Sequence, residues 1–194
     1  MTRFERTTLT LALMVAVGAC ARDEADSAED AMAADSTAHP AGHPAAEQLS
    51  PQDQAAIVGV RQTAEQYRDL AAAKAAGYTR QYPEGCVQTP DGSQGFHFIN
   101  DALVDDKVDI NTPELVMYEP KADGSMELIG VDYVIPFDRW TATEPPQVLG
   151  RPMMRNEPLG VWALHIWTHR ENPSGMFAAY NPAANCDHAA AARL

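Results

Sequence analysis

Gly95-Phe96-His97-Phe98-Ile99-Asn100 puts Phe96, Phe98 and Asn100 on one face of an extended chain and His97 and Ile99 on the other. The same two-residue alternation returns in Val161-Trp162-Ala163-Leu164-His165-Ile166-Trp167-Thr168, where Val161, Ala163, His165 and Trp167, and beyond them His169, oppose Trp162, Leu164, Ile166 and Thr168. Further apolar runs near 115–119 and 127–134 are separated from these by turn-forming clusters around Pro90, Asp123, Glu144 and Asn172. Short strands at such spacing predict a mainly antiparallel sheet.

Upstream the period changes. Ser50-Pro51-Gln52-Asp53 has the chemistry of a helix start: a hydroxyl for the cap, proline at the first helical position, and a carboxylate at the positive end of the dipole. Ile57, Val60, Ala64, Tyr67, Ala71 and Ala75 then recur every three or four residues, and Gly77 supplies a left-handed stop. The expected fold is therefore α+β, with one long N-terminal helix packed on a curved, mainly antiparallel sheet or small barrel. Residues 50–194, about 145 in all, are enough for one core and too few for two.

The first 49 residues read differently. Arg3 and Arg6 precede a short apolar run from Leu9 to Val17, and Val17-Gly18-Ala19-Cys20 closes it with small residues and a thiol. That pattern predicts a lipoprotein signal peptide over 1–19, with Cys20 fatty-acylated (palmitate in character) as the membrane anchor; two or more acyl chains hold a protein stably where one does not. An ordinary cleavage site leaving a free periplasmic protein is the alternative. Ala21 in place of an aspartate favours the outer membrane, on the periplasmic side of the envelope. Residues 20–49 hold no aromatic side chain and many acidic ones, the composition of a disordered tether. His39 and His43 lie within it among prolines that deny them a common helical face.

The formal charge of −13 excludes the basic surface that nucleic acid needs, so the expected partners are the membrane, through the anchor, a small ligand, or another envelope protein. With Cys20 acylated, Cys86 and Cys186 remain. An exported chain can keep a disulfide, and these two thiols allow a single intramolecular one. No C-x-x-C spacing points instead to a redox pair.

His97 and His165 are polar rings on half-apolar faces, and each needs a partner. If their strands neighbour one another, His97, Glu119 and His165 converge as a two-histidine, one-carboxylate site with open positions, suited to zinc or non-haem iron. Asn100, Trp167 and His169 are further candidates at its margin, and Met154, with Met153, would add soft thioethers that turn the choice toward copper. The competing reading is that these histidines and aromatic residues pack and hydrogen-bond within an ordinary core. Asp105, Asp106, Asp109 and Asn111 miss the spacing of a calcium loop and read as a solvated acidic turn. No G-x-S-x-G elbow, phosphate-cradling glycine loop or H-E-x-x-H helix is present, which leaves serine hydrolysis, nucleotide chemistry and thermolysin-type proteolysis without support.

The combination Tyr67-Arg68-Asp69, Gly95-Phe96-His97-Phe98-Ile99-Asn100, Tyr118-Glu119-Pro120, Gly130-Val131-Asp132-Tyr133, Leu164-His165-Ile166-Trp167, Asn172-Pro173-Ser174-Gly175-Met176-Phe177, Asn181-Pro182 and Cys186 resembles an uncharacterised family of exported bacterial proteins. The resemblance spans nearly all of the globular part. It implies a single exported domain with Cys86 and Cys186 paired, and no substrate. Members carry a histidine where Met154 stands and a glutamate where Ala163 stands; if those positions are ligands, this chain has altered its site. The expected function is an envelope-anchored protein binding a metal or small ligand at a sheet-face pocket, or else a structural or partner-binding envelope protein.

Overall fold

The computed structural model describes residues 49–194; the leader, Cys20 and the tether to residue 48 lie outside them. The first helix, α1 (Pro51–Ala64), starts where the capping chemistry places it: Ser50 Oγ accepts from the Asp53 N–H at 3.1 Å. A 3₁₀ turn (Glu65–Tyr67) extends it, so this helical segment stops at residue 67 and does not run unbroken to the stop at Gly77.

The break has a hydrogen-bond cause. In a continuous helix the Tyr67 carbonyl would accept from the Ala71 N–H. Here the Tyr118 hydroxyl donates to that carbonyl, and Asp69 Oδ1 takes the Ala71 N–H at 2.8 Å, capping a new short helix, α2 (Leu70–Ala75). The phase of burial resets with it. Ile57, Val60 and Ala64 are buried as expected, but past the break Leu70 and Ala73 turn inward while Ala71 and Ala75 face water. Gly77 then ends the helical region at φ +106°.

Eight strands follow: β1 (Arg80–Thr89), β2 (Gly92–Ile99), β3 (Leu115–Pro120), β4 (Met126–Pro136), β5 (Gln147–Val148), β6 (Arg151–Pro152), β7 (Met154–Asn156) and β8 (Val161–Ile166). Six form one antiparallel sheet in the order β1-β2-β3-β4-β8-β7, and β5 with β6 makes a separate hairpin. The four expected strands are β2, β3, β4 and β8. The sequence reading did not find β1, whose Tyr82-Pro83-Glu84-Gly85 looks like a turn. It is an irregularity inside a ladder: pairing with β2 lapses between Gln81 and Cys86, and Gln81 Oε1 holds the excursion by accepting the Gly85 N–H at 2.8 Å.

The sheet has two unlike faces. Phe96, Phe98, Val116, Tyr118, Val131, Tyr133, Leu164 and Ile166 meet α1 and α2 in the main core. Each large apolar side chain fully buried there contributes about 1.5–3 kcal/mol. The opposite face carries Ile99, Leu115, Val134, Val161 and Ala163 at one end and Met117, Ile129 and Trp167 at the other. His97, Asp132 and His165 lie on this second face.

The Cys86 and Cys186 sulfurs lie 2.01 Å apart, at disulfide distance, across a sequence separation of 100 residues. They join β1 to the C-terminal segment, which also pairs with β2 through reciprocal backbone hydrogen bonds between Ser93 and Asn181, each at 3.0 Å.

Glu114, buried just before β3, accepts the Val134 N–H on Oε2 at 3.1 Å, and burial pushes its carboxyl up to about 8. An unfolded glutamate titrates near 4.3. Between those two values the folded state holds a proton that the unfolded state has released, so stability falls as pH rises through that window. The protein should therefore lose melting temperature from pH 5 to pH 8, and Glu114→Gln should flatten that slope. Equal slopes in the two proteins would contradict the assignment.

Candidate metal centre

A flat sheet would hold β2 and β8, with two strands between them, about 14 Å apart. Yet His97 Nε2 on β2 and His165 Nε2 on β8 are 3.3 Å apart. The sheet curls into a half-barrel around its second face, and that curl carries the two rings together.

The carboxylate that joins them is Asp132 on β4. Backbone pairing sets Asp132 directly opposite His165, and Asp132 Oδ2 lies 3.5 Å from His165 Nε2. One ligand atom from each of His97, Asp132 and His165 falls within 4.8 Å of the others, the only such group among the described residues. For metal–ligand bonds of about 2.0–2.1 Å, the edge of a tetrahedron is about 3.3–3.4 Å. The 3.3 and 3.5 Å separations at His165 Nε2 lie close to that edge.

All three residues are buried. Burial, and then the neighbouring His165, pushes the His97 imidazole down to about 3, with the Gly95 backbone working weakly in the opposite direction. The ring is therefore neutral at ordinary pH and its lone pair is available. Burial raises the Asp132 carboxyl, with His165 opposing. A hydrogen bond between the two Nε2 atoms satisfies one lone pair and one proton. It leaves His97 Nδ1, His165 Nδ1 and Asp132 Oδ1 buried without a partner in hydrogen-bond geometry. Buried groups left in that state each cost about 1–3 kcal/mol. The cluster is thus costly for the fold to bury.

Glu119 is elsewhere and fully employed. Its Oε2 meets Lys121 Nζ at 2.6 Å and Arg170 Nη2 at 3.1 Å, while Oε1 accepts from the Asn185 backbone N–H at 2.9 Å and its side-chain amide at 3.2 Å. It latches the C-terminal segment to β3. Asn100 closes the turn after β2, donating to the Ala76 carbonyl at 3.1 Å. The Trp167 indole packs beside His165 with ring centres 6.3 Å apart, and its N–H donates to the Ala178 carbonyl at 2.7 Å.

His169 leaves the sheet face, because β8 ends at Ile166. Its ring nitrogens meet Glu65 Oε2 at 3.0 Å and Thr168 Oγ1 at 2.8 Å, tying the 3₁₀ turn to the sheet. Met153 is in the main core and Met154 is half exposed at the sheet edge, paired across the backbone with Ala163. Asp105 and Asp109 accept hydrogen bonds from their own turns.

Asp132 was the residue that sequence reasoning missed. A lone carboxylate within Ile129-Gly130-Val131-Asp132-Tyr133-Val134-Ile135 was the available signal, since charge in so apolar a strand calls for a buried partner.

Comparison with protein-family models, with curated proteins and with solved structures finds no match. The chemistry of the site is therefore read from its own geometry.

Proposed function

We propose that this domain binds one divalent transition metal ion through His97, Asp132 and His165. The observation that carries the reading is the meeting of one ligand atom from each of three buried residues on three strands, with the Nε2–Nε2 and Nε2–Oδ2 separations close to a tetrahedral edge. Two imidazoles and one carboxylate suit zinc or ferrous iron. The methionines that would favour copper lie in the core and at the exposed edge. Once bound, such a cation acts as a Lewis acid and makes coordinated water more acidic. The protein's part is to hold the His97 imidazole neutral and exclude bulk water.

The same proposal places the domain in the bacterial envelope, tethered through acylated Cys20. The leader pattern supports this, and so does the pairing of Cys86 with Cys186, a bond that an exported protein can keep. Acyl chains on Cys20 of the native protein are the check on the anchor.

Protein purified without chelator should contain close to one equivalent of zinc or iron. Stripped protein should take up zinc with a rise in melting temperature that grows with zinc concentration. No bound metal and no zinc-dependent shift would leave His97 and His165 as a hydrogen-bonded core pair, and would return the protein to a structural or partner-binding role.

A further inference from the structure

Resting on that reading, the geometry points to a fourth coordination position that is open to an exchangeable ligand of two or three atoms, with the contact between Tyr82 and Leu159 controlling entry. Three protein ligands with one vacant position is the arrangement of reactive zinc sites, whereas structural sites close with four. Among the described residues no fourth histidine, cysteine or carboxylate joins His97, Asp132 and His165. In its place lies a cavity of about 20 Å³, lined by those three together with Gln94, Asn156 and Tyr82. That volume admits about one water-sized occupant, so it takes the metal-bound atom of a two- or three-atom ligand, whose remainder would lie along the seam between Tyr82 and Leu159. A fourth metal ligand from the protein would have filled it.

The cavity has an identifiable outer wall. A wider depression of about 610 Å³ lies beyond it, and Tyr82, Pro83 and Leu159 line both spaces. They form the partition. One hydrogen bond spans it, from the Tyr82 hydroxyl to the Leu159 carbonyl at 2.7 Å, and both side chains also pack on the apolar cluster at that end of the face. Neither side of this seam is a regular ladder. Tyr82 sits where β1 loses its pairing with β2, and Leu159 sits in the turn between β7 and β8. Gly85 and Gly160 flank the two segments at φ +86° and +68°, with open space where a side chain would project. A ligand small enough for the inner cavity needs only this contact to part, while a ring the size of imidazole needs the wall itself removed.

Cobalt(II) in place of zinc makes the coordination visible, because its absorption reports ligand number and type. Azide added to the cobalt protein should change that spectrum saturably, and imidazole should not. Tyr82→Phe keeps the ring and removes the hydroxyl; it should speed azide association roughly fivefold, the effect of losing one ordinary hydrogen bond, and reach the same final spectrum. Unchanged circular dichroism and cobalt stoichiometry would show that the variant is folded and loaded. A cobalt spectrum indifferent to azide in both proteins would overturn the open position, and equal azide rates would overturn the role of Tyr82. Failure of cobalt and zinc to bind at all would be seen before azide is added, and would instead remove the metal reading on which the inference rests.

Discussion

Replacing Cys86 and Cys186 together with serine should lower the free energy of unfolding by about 4–5 kcal/mol, the chain-entropy value for a loop near 100 residues. Against a typical total of about 5–15 kcal/mol, that is a large share. The effect should fall on the unfolded chain. The C-terminal segment keeps its reciprocal bonds to Ser93, the Cys186 N–H still donates to Gln88 Oε1 at 2.6 Å, and Asn185 still holds Glu119. Urea titration of the double variant should thus show a much lower midpoint, while zinc affinity measured without denaturant stays unchanged. A loss below about 1 kcal/mol would mean that the segment's other contacts, and not loop closure, dominate. A parallel loss of zinc affinity would mean that the bond also shapes the metal centre.

Face was legible in the sequence, and row was not. Alternation in 95–100 and 161–168 assigned His97 and His165 to one side of their strands from local chemistry alone, and both turn to the same side of the sheet. Which carboxylate stands beside them depends on strand order and register, both set by contacts distant in sequence. Glu119 shares the face but lies at the far end of β3, whereas Asp132 is in register with His165. A local hint did exist. Lys121, two residues after Glu119 and so on the same face, is the natural partner of that carboxylate, and Asp132 has no cation within its strand.

The helix break was hidden for the same reason. Asp69 is a good cap, but the Tyr118 hydroxyl that takes the Tyr67 carbonyl arrives from another strand. The excursion in β1 was hidden because Pro83 and Gly85 signal a turn whether or not the chain resumes its ladder afterwards. The leader and tether readings fall on residues before 49, outside those described.

His97→Leu should move stability in opposite directions with and without metal. In stripped wild-type protein His97 and His165 bury two Nδ1 atoms with no partner. An apolar side chain of similar size at 97 removes one of those orphans, while His165 Nε2 loses its partner at 97 and keeps Asp132 Oδ2 at 3.5 Å, so the stripped variant should be more stable than stripped wild type by up to about 1 kcal/mol. With zinc at about 1,000 times its dissociation constant, wild type gains about 4 kcal/mol from binding alone, a gain the variant forfeits along with its first ligand. The order of melting temperatures should therefore invert on adding zinc. Asp132→Asn should keep the packing, lose the anionic donor and weaken zinc binding without that rise in the stripped state. If His97→Leu is the less stable protein in both conditions by the same margin, the histidine serves packing, and the polar cluster is no ligand set. Inversion would show instead that the fold tolerates three poorly satisfied buried groups for the sake of what they bind together.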